Sequence, residues 1–402
     1  MTEAGLFGRG ALRVAITNPY CWPQVRRGSE RLLHDLSHYL AGRGHDVTVI
    51  ATATEGVGEG WDGAVRRIVL PRWDPPGPGN RWLNHTHMLA FQVAKALRRQ
   101  QFDVVHALGY FDAFGALLAR WRGAAMRVVY QMVGITVRNL FRTLPLDRMM
   151  FRGALRGADT VLSISAFGQA QMTANHGRRS LLLPAPTDLA PLRATVRPPA
   201  DGRLRLLFAG DATEPRKGLL LLARALARVR AVRPDAVLVV SGRVTAEVIE
   251  RVRAAVPAES FAAIEFAGVG RVEDLPGLYA RASVFVLPST WEAQGLVLVE
   301  ALAAGTPVVA CDHGGPPEIV SDPRIGRLFA PGPIVDGMAS DDAALAAAIL
   351  GAAELAGQRQ TEALCRAHAE AFGWEALGPR YEAVLRGTGL PAADMMGSAC
   401  RL

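Results

Sequence analysis

The fold is decided by residues 288–310, which read PSTWEAQGLVLVEALAAGTPVVA. The apolar run Val284–Leu287 ends just before this stretch, and Gly295 opens an apolar segment with helical spacing that Gly305 closes. A second apolar run follows at once over residues 308–310. The order of strand, loop, helix and strand predicts a parallel α/β unit.

Two glutamates lie in this unit, Glu292 on the loop and Glu300 on the second turn of the helix. Ligands of parallel sheets bind beyond the carboxyl ends of the strands, where this loop lies, and the helix start near Gly295 offers backbone N–H groups to an anion. Glu300 would then reach sugar hydroxyls behind the anion, and Glu292 would reach the group in front of it. A phosphate with sugars on both sides describes a nucleotide sugar.

The two glutamates have two other interpretations. As a glycosidase pair, they would be about 12 Å apart along the helix, beyond the roughly 5–9.5 Å that such mechanisms use. As unrelated residues, both would be solvated, which is usual for glutamate. Glu300, however, has apolar neighbours on both sides, and a carboxylate in apolar surroundings needs a partner.

The composition is that of a globular protein with enough length for two domains: 402 residues, 50% hydrophobic and 20% charged. The net charge of +8 is carried by arginine, because Lys95 and Lys217 are the only lysines. A basic chain favours phosphorylated substrates, anionic lipid surfaces or nucleic acid. No nucleic-acid-binding motif occurs, so we expect no nucleic-acid partner.

The cysteines and the chain start indicate the compartment. Cys21, Cys311, Cys365 and Cys400 have no paired spacing, which indicates a reducing cytosol and argues against a disulfide framework or a zinc site. Residues 1–9 lack the features of a signal peptide, and no apolar run is long enough to span a membrane. We therefore expect a cytoplasmic protein.

Strand-like and helix-like segments alternate twice along the chain, which predicts two doubly wound sheets. The first series starts at residues 12–16 and the second at residues 204–208. The predicted parts are an N-terminal domain (1–194), a linker (195–202), a C-terminal domain (203–371), a closing helix (372–386) and a tail (387–402).

Four short motifs occur in a fixed order. They are Gly28-Ser29-Glu30-Arg31 followed by residues 43–47, Glu214-Pro215-Arg216-Lys217-Gly218, residues 292–300, and residues 314–320. Together they resemble the family 4 glycosyltransferases, retaining enzymes of the GT-B fold, and within that family the bacterial phosphatidylinositol mannosyltransferase-like enzymes. The resemblance covers nearly the whole chain. It implies two Rossmann-like domains facing a central cleft, with the closing helix crossing back to the N-terminal domain.

The resemblance also implies roles for the matching residues. Glu292 and Lys217 would be catalytic, with Glu292 on the transferred sugar and Lys217 on the donor diphosphate. The donor-binding residues would be Glu300 on the ribose, Gly28 on the diphosphate, Gly295 with the N–H groups of Leu296 and Val297 on the distal phosphate, and Arg216, Gly210 and Asp211 nearby. Lys217 also fits a solvated cation at a helix start.

The expected reaction is front-face transfer without a metal or other cofactor. A cation and fixed N–H donors stabilise the negative charge that gathers on the leaving diphosphate. No Asp-x-Asp pair follows a predicted strand, and the acids Asp341 and Asp342 suit the start of a helix.

The sequence departs from the family at two positions. Asp211 follows Gly210 where an arginine is common, and Arg216 or Arg243 could supply the missing charge. Val133-Gly134 stands where a histidine usually contacts the 6-hydroxyl of the sugar. An unpaired buried polar group costs about 1 to 3 kcal/mol, so valine suggests a 6-deoxyhexose or pentose donor.

The acceptor should bind the first domain, in the loops 17–27, 71–87 and 110–112. The acceptor-side candidates are His106, Val133 and Tyr110, although His106 also fits a structural histidine. Residues 138–156 combine arginines with apolar residues and could form a helix that contacts an anionic membrane at its inner face. An ordinary helix with an inward apolar face explains the same pattern.

The leading hypothesis is a retaining glycosyltransferase that moves a hexose or deoxyhexose from a nucleotide-diphosphate sugar to a cell-envelope lipid, sugar or natural-product acceptor. A nucleotide-sugar epimerase of the same fold would make product from the donor alone. A non-catalytic nucleotide-sugar-binding protein would bind the donor without turnover.

Overall fold

The computed structural model describes residues 10–25, 27–73, 85–138, 141, 144–198, 201–335 and 338–388. Outside them lie the chain start, part of the predicted acceptor loop 71–87, residues 139–140 and 142–143 of the segment 138–156, residues 199–200 of the predicted linker, Cys400 and most of the predicted tail. The described chain divides into two compact units, residues 10–186 with 377–388, and residues 187–376.

The first unit is built on a mostly parallel sheet. Its strands in the described chain are β1 (Arg13–Tyr20), β2 (Asp46–Ala53), β3 (Gly58–Asp62), β4 (Val65–Pro71), β5 (Val104–Ala107), β6 (Arg127–Met132), β7 (Thr160–Ser163) and β8 (Leu181–Leu182). They lie in the order β3-β4-β2-β1-β5-β6-β7-β8, and β3 pairs antiparallel with β4. The other pairs are parallel, as the alternation of strands and helices predicts.

The second unit contains a wholly parallel sheet. Its strands in the described chain are β9 (Arg205–Ala209), β10 (Val237–Ser241), β11 (Ile264–Gly268), β12 (Val284–Leu287), β13 (Val308–Cys311) and β14 (Gly326–Phe329), in the order β11-β10-β9-β12-β13-β14. Every residue of β12 and β13 is buried, as expected for central parallel strands covered on both faces.

Helices connect the strands of both sheets. They are α1 (Gly28–Gly42), α2 (His85–Leu97), α3 (Tyr110–Trp121), α4 (Pro145–Gly157), α5 (Ala166–His176), α6 (Ala190–Arg193), α7 (Leu219–Val232), α8 (Ala246–Ala255), α9 (Ala258–Phe261), α10 (Leu275–Arg281), α11 (Leu296–Ala303), α12 (Pro316–Ile319), α13 (Asp342–Ala353), α14 (Arg359–Ala369) and α15 (Trp374–Arg386). None of the described helices is long and apolar enough to cross a bilayer.

Helix α15 begins in the second unit and packs, from residue 377 onward, on the first. The Tyr381 hydroxyl is buried, accepts a hydrogen bond from Gln131 Nε2 at 2.7 Å and donates to Pro184 O at 3.2 Å. Arg127 Nη1 donates to the last carbonyls of the helix, at 3.2 Å to Val384 O and 3.0 Å to Leu385 O. These bonds satisfy carbonyls that a helix end leaves without intrahelical partners.

The structure divides the chain after Pro186, earlier than the predicted end of the N-terminal domain at residue 194. The reason is packing: Leu189 and Leu192, on either side of the start of α6, lie in the apolar cluster beneath the second sheet. Short connecting helices carry no signal in the sequence that assigns them to one domain or the other.

Candidate functional site

The loops of the second unit meet at the carboxyl edge of its sheet. The loop after β13 packs on the loop after β12, because Gly315 N donates to Glu292 O at 2.9 Å. The turn before α7 packs on the same loop, and a Cβ at Gly218 would lie 2.9 Å from Pro288 O. With φ +77°, Gly218 also has a backbone conformation that other residues rarely adopt. Three of the four predicted motifs therefore lie together.

Lys217 and Glu292, the predicted catalytic pair, form an ion pair at this edge. Lys217 Nζ donates to Glu292 Oε2 at 2.7 Å, and both side chains are 18% exposed. Lys217 ends a short 3-10 turn, Pro215–Lys217, that Gly218 connects to α7. Lys217 is therefore held in a charged pair, unlike the freely solvated cation of the alternative interpretation.

Glu300 is buried, 5% exposed, on the second turn of α11. The partner that a buried carboxylate requires is Tyr279, whose hydroxyl donates to Glu300 Oε2 at 2.6 Å. Tyr279 lies on α10, and its ring packs against Phe285 of β12 with 5.5 Å between centroids. No sequence motif indicates Tyr279, because its contact with Glu300 depends on how α10 and α11 pack.

The start of α11 has the geometry of an anion site. Gly295 is left-handed, with φ +96°, and precedes the first helical residue Leu296. Leu298 N already bonds to Gly295 O at 2.8 Å. Because the first N–H groups of a helix have no intrahelical acceptor, those of Leu296 and Val297 suit a phosphate.

The position where an arginine was expected has a different local structure. Asp211 directly follows Gly210 at the end of β9 and accepts hydrogen bonds from its own turn, at 3.0 Å from Thr213 N. Arg243 Nη1 lies 4.0 Å from Asp211 Oδ2. Arg216 donates to Trp291 O at 3.1 Å and pairs with Glu214. The guanidinium beside Asp211 is thus that of Arg243, which lies on the loop after β10.

His313 and Trp291 also belong to this loop cluster, although neither is among the residues that the sequence predicts for the site. His313 Nδ1 donates to Thr290 O at 2.7 Å, and the ring stands edge-on to Trp291 with 5.0 Å between centroids. The sequence feature that could have indicated His313 is its position immediately before the Gly314-Gly315 motif.

Three of the candidates in the first unit lie at the carboxyl edge of its sheet. Gly28 is the first residue of α1, after the loop that leaves β1, and Tyr110 is the first residue of α3, after β5. Val133 follows the last residue of β6 and is half-buried. Strands β1, β5 and β6 are neighbours, so these positions follow adjacent strand ends.

Tyr110 is part of a buried hydrogen-bond network. Its hydroxyl donates to Asp147 Oδ1 at 2.7 Å, and His87 Nε2 bonds to Asp147 Oδ2 at 3.0 Å. Burial raises the pKa of Tyr110, and the adjacent Asp147 raises it further.

Asp112, on the first turn of α3, is also buried. Burial raises the pKa of Asp112 to about 7, although the Thr17 hydroxyl and the Gly109 N–H donate hydrogen bonds to this carboxyl.

His106 does not have the surroundings of an acceptor contact. Its side chain has no exposed surface, Nε2 lies 2.8 Å from Gln131 Oε1, and the ring stacks on Tyr381. Burial lowers the pKa of His106 to about 4, so the imidazole is neutral near pH 7. This correction favours the structural histidine that the strand position also suggested.

The segment 138–156 contains an ordinary amphipathic helix over its described part. Pro145 is the first residue of α4, where proline is favoured, and Met150, Phe151 and Leu155 are buried. Arg148, Arg152 and Arg156 are exposed on the other face, beside Met149. The inward apolar face agrees with the second interpretation of this segment.

Both halves of the chain match glycosyltransferase family models. Residues 26–190 match "Glycosyltransferase Family 4", and residues 203–355 match "Glycosyl transferases group 1". A glycogen synthase of Mycobacterium tuberculosis is 28% identical over 383 residues, with 88% of this chain and 89% of the relative covered. A phosphatidyl-myo-inositol mannosyltransferase of Propionibacterium freudenreichii is 27% identical over 420 residues, which cover 96% of this chain and 98% of the relative.

A solved structure supports the fold. Anabaena Alr3699/HepE, determined in complex with UDP and glucose, superposes with a TM-score of 0.71 at 20% identity, covering 93% of this chain and 99% of the other. Two Rossmann-like units with this site define a GT-B glycosyltransferase that uses a nucleotide sugar. The chain belongs to the group 1, family 4 glycosyltransferases. The fold and family that the sequence predicted are confirmed.

Proposed function

We propose that the chain transfers a hexose or deoxyhexose from a nucleotide-diphosphate sugar to a hydroxyl group, with retention at the anomeric carbon and without a metal. The observation that carries the proposal is the 2.7 Å ion pair between Lys217 and Glu292, beside the start of α11. It joins a cation for phosphate to a carboxylate for sugar on one loop cluster. The solved relative with UDP and glucose binds both kinds of group.

The donor would lie along α11 and its preceding loop. The buried carboxylate of Glu300 would accept hydrogen bonds from the ribose hydroxyls, with Tyr279 holding one of its oxygens. The diphosphate would bind Lys217 and the first N–H groups of α11, because an ammonium and a helix start both favour anions. Glu292 would bind hydroxyls of the transferred sugar.

The proposed step breaks the bond between the anomeric carbon and the diphosphate oxygen while the acceptor hydroxyl attacks from the same face. The acceptor proton passes to the departing phosphate oxygen, so neither Lys217 nor Glu292 has to gain or lose a proton. Negative charge develops on the leaving diphosphate, where Lys217 and the N–H groups stabilise it. In this step Lys217 hydrogen-bonds to the leaving diphosphate in place of its bond to Glu292.

Val133 supports a donor that lacks a 6-hydroxyl. Its side chain offers no hydrogen bond where the family pattern places an imidazole, so a hexose hydroxyl there would lose a partner. Competition between a hexose donor and its 6-deoxy analogue tests this proposal. Faster turnover of the hexose donor than of the 6-deoxy donor would contradict the proposal. In that case Val133→His should not alter the relative turnover of the two donors.

The acceptor is proposed to be a cell-envelope lipid, a sugar or a natural product, bound by the first unit. The curated relatives are named for glycogen and for phosphatidyl-myo-inositol, a polysaccharide and a lipid, so their names leave the class open. The exposed arginines of α4 beside Met149 suit peripheral contact of a cytoplasmic enzyme with the inner membrane face. Sedimentation with anionic but not with neutral vesicles would support that contact.

Turnover assays separate this function from its two alternatives. Each of several nucleotide sugars is incubated with and without a panel of lipid, sugar and natural-product acceptors, and release of the nucleoside diphosphate is measured. Release that requires an acceptor, continues in EDTA and gives a product of unchanged anomeric configuration by NMR supports the proposal. Product from the donor alone would indicate an epimerase, and binding without product would indicate a binding protein.

A further inference from the structure

One group of possible metal ligands stands apart from the transferase site. His34 and His38 lie one turn apart on α1, and Asp62 is the last residue of β3. The ligating atoms of the three side chains lie within 4.8 Å of one another. Among the described residues no other His, Cys, Asp and Glu side chains form such a group.

The hydrogen bonds of the two imidazoles fix which nitrogen is available. His34 Nδ1 lies 2.9 Å from Asp35 Oδ1, and His38 Nδ1 lies 2.9 Å from His34 O. A carboxylate and a carbonyl only accept hydrogen bonds, so each Nδ1 carries the proton. In the neutral rings the lone pair is then on Nε2. A metal-bound histidine characteristically donates its other N–H to a carboxylate or a backbone carbonyl in this way.

Asp62 is oriented toward the same point. Its Oδ1 lies 3.7 Å from His38 Nε2, while Oδ2 lies 3.9 Å from Arg67 Nη1. Arg67 also bonds to Cys21 Sγ, at 2.7 Å, and both residues line the same small cavity as the two histidines. Two further charged groups face the cluster from α1, Asp35 and its ion-pair partner Arg31.

We infer that His34, His38 and Asp62 bind a divalent transition-metal ion of the Zn²⁺ type. Two imidazoles and one carboxylate suit zinc and its neighbours better than Mg²⁺ or Ca²⁺, which prefer oxygen ligands. Tetrahedral ligands at about 2.1 Å stand about 3.4 Å apart, so separations of up to 4.8 Å would have to close by up to about 1.4 Å. Exposures of 33% for His34, 36% for His38 and 41% for Asp62 leave room for that movement.

The ion would connect an edge hairpin to a helix. Strand β3 lies at the edge of the sheet and pairs with β4, and most of its residues are exposed. Asp62 on that strand and the histidines on α1 belong to separate elements of the first unit. A bound ion would therefore stabilise the folded unit by mass action and leave a coordination position to water. The site takes no part in the proposed transfer step.

The cysteine spacing argued against a zinc site, and this cluster contains no cysteine. Histidines four residues apart on a helix face the same side, but that spacing alone is common. Only the fold brings Asp62 to them.

Metal titration of the untagged protein tests the inference. Zn²⁺ is titrated in competition with a chromophoric chelator, and Co²⁺ is titrated in parallel because its visible spectrum reports the ligand set. We expect one ion per chain, a Co²⁺ spectrum without a thiolate band, and a higher melting temperature with Zn²⁺.

Variants assign the ligands. His34→Ala, His38→Ala and Asp62→Asn should each weaken Zn²⁺ binding severely, and Asp35→Asn should weaken it by about ten- to 100-fold. The matched control is Glu59→Gln, the other acid of β3, which should leave the affinity unchanged. No binding by wild type, binding that survives all three ligand variants, or binding that requires Cys21 would each overturn the inference. Melting temperatures of the metal-free variants show that they are folded.

Discussion

Replacing Glu292 by glutamine should tighten nucleoside diphosphate binding while it abolishes transfer. In the structure Glu292 holds the ammonium of Lys217 at 2.7 Å, and the proposed donor diphosphate needs the same ammonium. The carboxylate therefore competes with phosphate for one cation. Glutamine keeps the shape of the side chain and removes its charge.

The size of the effect follows from charge separation. A phosphate on the far side of the ammonium would stand about 6 Å from the carboxylate, and at an effective dielectric of 20 that repulsion is about 3 kcal/mol. Both side chains are 18% exposed, so solvent and salt reduce the repulsion. We expect about 1 to 2 kcal/mol, which is about five- to thirtyfold in the dissociation constant.

Calorimetric titration with the nucleoside diphosphate measures this effect directly. Lys217→Met should weaken binding, by about 1.5 to 3 kcal/mol for a hydrogen bond to a charged group. Glu354→Gln, an exposed acid at the end of α13, is the control and should change nothing. If Glu292→Gln weakens binding as Lys217→Met does, Glu292 positions the lysine for phosphate and does not compete with phosphate for it.

Three further predictions concern single side chains. Tyr279→Phe removes the 2.6 Å hydrogen bond to the Glu300 carboxylate and should weaken nucleotide binding about tenfold or more, as measured by calorimetry. The control is Tyr381→Phe, because Tyr381 is an equally buried tyrosine of the first unit, and it should leave nucleotide binding unchanged. Gly218→Ala forces a Cβ to within 2.9 Å of Pro288 O at positive φ, so it should lower both the melting temperature and the nucleotide affinity, with an unchanged affinity contradicting the packing. Burial raises the pKa of Asp112 to about 7 in the folded protein, so between about pH 4 and 7 the folded state binds more protons than the unfolded state. The melting temperature of wild type should therefore fall as the pH rises through this range, and Asp112→Asn should reduce that fall. An equal fall in wild type and variant would count against the raised pKa.

The parallel strands could be predicted from the sequence because burial on both faces leaves continuous apolar runs. The strand Val284–Leu287 has the bounds that the sequence predicts, and the helix predicted between Gly295 and Gly305 spans Leu296–Ala303. Strand β3 was missed. Its residues Gly58–Asp62 are mostly exposed at the edge of the sheet, where neither face of the strand has to be apolar. The two-residue alternation of apolar and polar residues that indicates a strand is therefore absent.

The candidate site was predictable where it depends on neighbours in the chain. Glu292, Gly295 and Glu300 lie within one strand–loop–helix segment, so the order of these elements places all three near the same end of α11. Tyr279 was not predictable, because it meets Glu300 through the packing of α10 and α11. The burial of His106 also depends on a distant element, since Tyr381 of α15 covers its ring.

The most direct measurement is calorimetric titration of wild type and Glu300→Ala with UDP, GDP, dTDP and ADP separately. A donor site of the proposed kind predicts that one of these nucleotides binds wild type tightly and that the variant loses most of that affinity. The same titration names the base of the donor. Binding of none of the four, or equal binding to wild type and Glu300→Ala, would contradict the assignment of α11 and its loop as the nucleotide-sugar site.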